Sequence, residues 1–475
     1  MASQYQHLIL DIGGVLLSYS SGANTVLPPR TIKTILDSPY WADYERGKFS
    51  QQQCYETVCA EFGLELDVWQ EAVEQLKSTL EPNLEFIAAV REIKTSYPNL
   101  CIHALSNLSA PDFEHLKPAV TQWGIFDSII TSSSIGQRKP DMAAYRLALE
   151  AIGAETQSVV FVDDMLENIL MAHSLGIRAV HFKNTLKVIQ QLHNLLGDPV
   201  SRGLDFLHQR AKNLVSDTSK GVAIKDNLTQ LLVLQCIGKH DLVDLEDSGP
   251  TWQFFIGERT FTDAKFPNDS DTTSLAHAVF DFDEDRKRVA MDTIMQYVTP
   301  DGYPSAYHDH KRPRMCPVVC ANVFRFFALN GQAARLQSTH DYLVRILDTQ
   351  AYEFGTRYYL NHDWMLYFLA DLCGRRSDPE LSEIRDKVTT QLKRRIGIDK
   401  DVLGAAMRLL ASQSLGLANP EDLKTLLKTQ QVDGGWEVAW LWNYGQVDVQ
   451  VGSRAVPTAM AVRGIATALG RELTT

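Results

Sequence analysis

Along the first part of the chain, short apolar runs recur at wide spacing, and each ends in polar or small residues. His7 to Leu10 runs into Asp11-Ile12-Gly13-Gly14, Cys101 to Leu105 into Ser106-Asn107, and Val159 to Val162 into Asp163-Asp164. Ala179 to Phe182 is a fourth such run. Short runs bounded by turn residues predict buried strands. Met142 to Ala151 and Glu167 to Leu175 carry helical periodicity between them. Alternating strands and helices predict a parallel sheet covered on both faces, with ligands at the strands' carboxyl ends. From about residue 18 to residue 90, and most clearly from Pro28 to Val90, the pattern is helical throughout. This stretch predicts a helical cap inserted after the first strand.

Beyond about residue 183, strand patterns become rare and amphipathic helices dominate. Leu228 to Ile237, Val318 to Leu329, Tyr342 to Leu347, Trp364 to Leu372 and Pro457 to Leu469 are the clearest. We place the domain boundary between Lys183 and Gly203. An α/β domain then spans residues 1–190, and an all-α domain, read as a barrel of paired helices, spans residues 204–475. No short-period repeat stands out.

Composition narrows the function classes. A chain of 475 residues has room for two or three domains, and 45% hydrophobic residues suffice for a large core. A net charge of -12 disfavours electrostatic attraction to nucleic acid. Seven scattered cysteines suggest no disulfide framework and fit a reducing compartment, hence the cytoplasm. Met1 to Gln6 is polar and lacks a secretory pattern, and no run of about 20 apolar residues predicts a membrane span. The sequence admits a homodimer.

The strand-end residues suggest phosphoryl transfer. Asp11 is followed by two glycines that let a phosphate approach the backbone. Ser106 and Asn107 end the second predicted strand and suit phosphate oxygens. Lys139, in Gln137-Arg138-Lys139-Pro140, can neutralise phosphate charge. Asp163 and Asp164 suit Mg²⁺, a hard cation. A nucleophilic carboxylate, a basic clamp and a metal are the parts of aspartyl-phosphate chemistry. In this order the residues resemble the haloacid dehalogenase superfamily, with LILDIGGVL, ALSN, RKP and VVFVDDMLEN as its four motifs. The resemblance covers roughly the first 185 residues. It implies Asp11 as nucleophile, Ser106 and Lys139 on phosphate, and Asp164 as main Mg²⁺ ligand with Asp163 beside it. The family's second aspartate, the acid/base two positions after the nucleophile, is Gly13 here. Its carbonyl can still ligate Mg²⁺, but protonation of a leaving group loses its donor.

A second constellation lies at Phe266-Pro267-Asn268-Asp269-Ser270-Asp271-Thr272-Thr273-Ser274, ahead of an apolar helix. Asp, Ser and Thr are what a helix N-terminus prefers, so a capping role accounts for the local sequence. The alternative is a buried carboxylic acid that protonates an alkene. Two carboxyls at i and i+2 can share a proton that burial retains, whereas the helix N-terminus favours the anion. Local sequence does not rank these two effects. The motif resembles the DxDTT variant of the acid motif of class II terpene cyclases. Gln430-Gln431-Val432-Asp433-Gly434-Gly435-Trp436 resembles the QW motif of related cyclases. By that resemblance Asp271 is the proton donor, and Asp269 and Thr272 position or tune it. Aromatic residues throughout this half, from Trp252 to Tyr444, suit carbocation chemistry, although ordinary packing explains any single one.

Three weaker features complete the reading. His308-Asp309-His310 with Cys316 and Cys320 does not match a common zinc spacing. Lys311, Arg312 and Arg314 can meet a diphosphate, but a solvated loop is the simpler reading. The acidic run Asp241 to Asp247 reads as a connector. Both halves together resemble the haloacid-dehalogenase-like class II sesquiterpene cyclases, which make drimane-type bicyclic products. That resemblance implies farnesyl diphosphate as substrate and a drimenyl or albicanyl diphosphate as first product. The first domain would then trim the diphosphate. The alternatives are a cyclase with an inert first domain, a prenyltransferase-like barrel that would need zinc, a phosphatase of small metabolites, and a scaffold.

Overall fold

The computed structural model describes residues 4–19, 25–262, 265–444 and 448–473; the first three residues of the polar start and residues 20–24 of the cap stretch lie outside the described residues. The chain divides into two compact units, Met1–Asp198 and Pro199–Thr475. No helix among the described residues is long and apolar enough to cross a membrane.

The first unit holds seven strands: β1 (His7–Leu10), β2 (Leu17–Tyr19), β3 (Leu80–Pro82), β4 (Cys101–Ser106), β5 (Ser128–Thr131), β6 (Val159–Asp163) and β7 (Arg178–His181). Five of them form a sheet in the order β5-β4-β1-β6-β7, with every neighbouring pair parallel. The four predicted strands are present, and β5 is added at the edge. Its sequence SIIT buries only Ile130 and Thr131, so it lacks the continuous apolar run of an inner strand.

The cap comprises the helices Pro29–Leu36, Pro39–Glu45, Gln51–Phe62 and Leu66–Ser78. They close over their own core around Trp41, Tyr44, Tyr55 and Trp69. The antiparallel β2–β3 ribbon flanks the insertion. The cap therefore ends near Pro82, not residue 90. The helix Leu84–Ser96 turns Phe86, Ile87, Val90 and Ile93 to the core that holds Leu8 and Leu10 of β1. Helical periodicity reports an apolar face but not the core it meets, which is why the sequence reading extended the cap too far.

The domain boundary also sharpens. Thr185–Leu196 packs Val188, Ile189 and Leu192 into the sheet core, whereas Pro199–His208 packs on Ala455–Ala468 in the second unit. Residues 191–203, left between the two predicted domains, are thus mostly helix, and the division falls at Asp198.

In the second unit, six helices contact each other in a closed ring: Asn227–Ile237, Ser270–Val279, Pro317–Leu329, Trp364–Arg375, Val402–Ser414 and Ala455–Ala468. They are buried nearly all round, and Pro317–Leu329 and Ala455–Ala468 are largely apolar on every side, as enclosed helices are. More polar helices such as Ser382–Arg395 lie outside the ring. A small antiparallel sheet adds β8 (Ser216–Thr218), β9 (Ala223–Ile224), β10 (Ala439–Asn443) and β11 (Gln450–Ser453), which the helical pattern had hidden.

The segment Gln430–Trp436 ties this barrel together. Gln430 Nε2 donates to the carbonyls of Pro199 at 2.9 Å and Gly434 at 2.8 Å. Trp436 is fully buried and donates from Nε1 to Leu426 O at 3.0 Å. Asp433 receives both Arg454 nitrogens at 2.8 Å. Gly434 has φ +85°, and a Cβ there would sit 2.2 Å from Arg202 O, so only glycine makes this turn.

Candidate active sites

The first site lies at the carboxyl ends of β1, β4 and β6. Asp11 follows β1 and Asp163 ends β6, so the parallel register brings both to one edge. Lys139 Nζ bridges them, 2.9 Å from Asp11 Oδ2 and 2.6 Å from Asp163 Oδ2. Lys139 is 1% exposed, and its buried charge is tolerated because two carboxylates face it. Burial pushes the Asp11 carboxyl up from its ordinary range, and Lys139 opposes that shift. Ser106 hydrogen-bonds with Asp11.

Two expected roles change on inspection. Asn107 was read as a phosphate ligand, but its side-chain amide grips the Lys139 backbone. Its Oδ1 accepts from Lys139 N and its Nδ2 donates to Lys139 O, both at 2.9 Å. Asn107 therefore positions the lysine. Asp163 was read as a metal ligand beside Asp164. Its Oδ2 is held by Lys139, and its Oδ1 accepts from Met165 N at 2.8 Å and Asn168 Nδ2 at 2.9 Å. Asp163 is fully buried and orders the site, leaving Asp11 and Asp164 as the more open carboxylates.

Oxygens of Asp11, Asp163 and Asp164 lie within 4.8 Å of one another. Three convergent carboxylates around one lysine carry net negative charge, which a hard divalent cation such as Mg²⁺ would neutralise. Desolvation raises the Asp164 carboxyl, so a cation there would restore its ionised form. Gly14 has φ +73°, and a Cβ on it would meet Asp164 Oδ2 at 2.2 Å, so this glycine lets the carboxylate reach the site. Around Gly13, by contrast, a Cβ meets nothing within 4 Å. The position has room for the first carbon of a side chain.

The second site lies at the N-terminal ends of the ring helices. Asp269 caps the helix Ser270–Val279: its Oδ1 accepts from Thr272 N at 2.6 Å. The capping reading is thus correct for Asp269. Asp271 sits in the first turn, 7% exposed, and its carboxyl faces inward. Asn322 Nδ2 donates to Asp271 Oδ1 at 2.7 Å, and the Tyr359 hydroxyl donates to Oδ2. These two donors, from another helix and a loop, reach Asp271, while Asp271 in turn raises the neighbouring Asp269.

Burial raises Asp271, while Tyr359, Asn322 and Arg325 favour its anion. Burial likewise brings Asp269 up to about 7, against the hydrogen bonds from Thr272. Desolvation therefore outweighs the helix terminus at both carboxyls. Thr272 is fully buried, and its backbone N–H donates to Asp269 rather than to Asp271.

Asp269 and Asp271 share one pocket. Its walls are aromatic, with Phe254, Phe255, Phe266, Tyr307, Tyr358 and Trp442. Lys311, Arg312, Arg314 and Arg357 line it too, so the basic cluster read as a solvated loop belongs to the site. Sequence reasoning missed Asn322 and Arg325, although both are polar residues in the apolar helix PVVCANVFRFFAL, a conflict that marks functional positions. Tyr359 had no signal beyond being one aromatic among many.

The remaining features take structural places. His308 Nε2 lies 3.2 Å from Ser270 Oγ, and burial lowers its pKa to about 4. Cys316 caps the helix Pro317–Leu329 and Cys320 is buried within it.

Residues 5–176 match the haloacid dehalogenase-like hydrolase family, and residues 200–330 match the sesquiterpene cyclase astC-like C-terminal domain. Drimenol cyclase drtB of Aspergillus calidoustus is 34% identical over 460 residues, covering 96% of this chain and 87% of that protein. Sesquiterpene phosphatase astK of Aspergillus oryzae is 30% identical over 197 residues, covering 42% of this chain and 100% of that protein. Among solved structures, the type II terpene cyclase MstE from Scytonema overlaps 57% of this chain and 97% of its own, with 14% identity and a TM-score of 0.44. The chain therefore belongs to the drimenol-cyclase family of class II sesquiterpene cyclases, with a haloacid dehalogenase-like phosphatase domain ahead of the cyclase domain.

Proposed function

We propose that the second unit cyclises farnesyl diphosphate and that Asp271 starts the reaction. The single observation that carries this reading is the setting of Asp271. Burial holds its proton, while Tyr359 and Asn322 are already aimed at the carboxylate that proton transfer would leave. A neutral acid whose anion is stabilised in advance is a strong acid in a dry pocket. The terminal alkene carbon takes the proton, two carbon–carbon bonds close the rings, and the final cation loses a proton to form a new alkene. The carbon–oxygen bond to the diphosphate stays intact, which gives a drimenyl or albicanyl diphosphate. Aromatic faces such as Phe255, Phe266 and Trp442 suit the migrating positive charge. Lys311, Arg312, Arg314 and Arg357 suit the diphosphate.

The first unit would then remove phosphate. Asp11 and Asp164, with the Gly13 carbonyl and Asp163 behind them, would hold Mg²⁺, which neutralises phosphoryl charge when bound. Asp11 attacks the terminal phosphorus, the bridging phosphorus–oxygen bond breaks, the sesquiterpenyl monophosphate leaves, and water then hydrolyses the aspartyl phosphate to release inorganic phosphate; Lys139 and Ser106 steady the carboxylate and the phosphoryl oxygens. Gly13 supports a second reading, a cyclase whose first unit is inert, because no side chain at that position can protonate the departing oxygen or activate the water that hydrolyses the aspartyl phosphate. Seven cysteines, none in a disulfide, fit a cytoplasmic enzyme.

Incubation with farnesyl diphosphate and Mg²⁺, followed by mass spectrometry with and without added phosphatase, tests both steps. A bicyclic alcohol or monophosphate that disappears in Asp11→Ala supports the two-step enzyme. A bicyclic diphosphate unchanged in that variant supports the inert first unit. Equal outcomes for wild type and Asp271→Ala, with no cyclic product, would exclude the cyclase reading.

A further inference from the structure

The two amino-terminal strand ends, remote from the aspartates, carry a second cluster of metal-ligating side chains. In the parallel β1–β4 pair, His7 is in register with Cys101 and Ile9 with His103. Residues two apart on a strand share a face, and so do partners in parallel register. His7, Cys101 and His103 therefore stand on one side of the sheet, and one ligand atom from each lies within 4.8 Å of the others. His7 Nδ1 and His103 Nε2 are 3.1 Å apart. Two imidazole nitrogens on one tetrahedral zinc ion, each at about 2.0–2.1 Å, would be about 3.3 Å apart, so only a small movement is required.

We propose that His7, Cys101 and His103 form a binding site for one zinc-class transition-metal ion, separate from the carboxylate site. The nitrogen-and-sulfur set suits Zn²⁺ and excludes Mg²⁺, just as the Asp11–Asp163–Asp164 set suits Mg²⁺. His103 Nδ1 lies 2.8 Å from Ser128 Oγ. That contact fixes the ring and turns Nε2 to the ion, as the outer partners of metal-bound histidines do. Asp127 acts on His103 from the adjoining loop, and Lys94 is paired with Asp127. A Cys101 thiolate and Asp127 would offset the charge of a divalent ion. Access is open on the Cys101 side, since Cys101 is partly exposed while the other six cysteines are buried. His7 and Asp11 stand at opposite ends of β1, about 13 Å of extended chain apart, so the two metals would not compete.

The test uses the full-length protein stripped with chelator and titrated with Zn²⁺, followed by metal analysis and thermal unfolding. Wild type should take up one equivalent and melt at a higher temperature. His7→Gln and Cys101→Ser should each weaken uptake at least about tenfold, as should Ser128→Ala, while Asp164→Asn should retain it. With Co²⁺ in place of Zn²⁺, a thiolate-to-cobalt band should appear in the near ultraviolet and vanish in Cys101→Ser. No uptake at micromolar Zn²⁺, equal affinity across these variants, or a cobalt spectrum without the thiolate band would overturn the proposal.

Discussion

Each half of this chain has a cluster of buried aspartates, and the two clusters are set to opposite uses. In the first unit, Asp11 and Asp163 face one buried lysine at 2.9 and 2.6 Å, and Asp164 joins them within reach of a cation. Lys139 opposes the upward push that burial gives Asp11, which suits the nucleophile and ligand roles proposed for this cluster. In the second unit, Asp271 faces aromatic walls, a tyrosine and an asparagine. Burial raises Asp271 against Tyr359, Asn322 and Arg325, which suits an acid that keeps its proton until an alkene arrives. Burial raises both Asp11 and Asp271, so what separates the two sites is the partner bonded to each carboxyl, a lysine in one and a tyrosine and an asparagine in the other.

The largest test of this contrast is Asp271→Asn. The amide keeps the shape and loses the proton, so cyclisation should fall by about 10³-fold or more. Phosphate release by the first unit should persist, since it depends on Asp11. Product formation and inorganic phosphate, measured on the same sample, separate the two. Gly13→Asp sharpens the comparison from the other side. A Cβ at this position meets nothing, and turnover of the bicyclic monophosphate to free alcohol should rise by about 10²-fold. No gain would mean that the first unit is inactive for another reason.

Tyr359→Phe should have a smaller effect. It removes one donor from the Asp271 anion, a charged hydrogen bond of about 1.5–3 kcal/mol, so kcat should drop by about 10- to 100-fold with little change in KM. A matching pH effect follows. Asp271 must keep its proton, so activity should fall as pH rises through its raised value. Asp269 behaves similarly for stability. Its folded value of about 7 exceeds its ordinary 3.8, so the stability it confers is full below 3.8 and is lost as pH rises through about 7. Asp226, brought up to about 6 by burial, adds the same sign. The second unit should melt at a higher temperature at pH 5.5 than at pH 8. The smallest effect expected is that of Gly434→Ala, which clashes at Arg202 O and should cost about 2 kcal/mol, or about 4 °C in Tm, without altering the product.

Much of this was legible in the chain. The strand ends could be read because buried parallel strands are continuous apolar runs, and the residue after each run falls at the ligand edge. Asp11, Ser106 and Asp164 followed directly. The acid motif was legible only as a pair of possibilities, cap or acid; in the structure Asp269 takes the cap, and Asp271, the acid proposed above, lies in the first turn. Tyr359 and Asn322 could not be linked to Asp271 because they approach it from 88 and 51 residues away, through a ring closure that local pattern does not encode. The basic residues Lys311, Arg312 and Arg314 were misread for the same reason. A charged loop looks solvated until the fold places it against a pocket.

The most direct test of the central claim is turnover of farnesyl diphosphate in D₂O after full exchange of the protein. If Asp271 starts the reaction, each bicyclic product carries one deuterium, on the carbon that had been the terminal alkene, and Asp271→Asn makes no labelled product. A bicyclic product without deuterium would mean that ring closure begins by another route, and the account of Asp271 given above would be wrong.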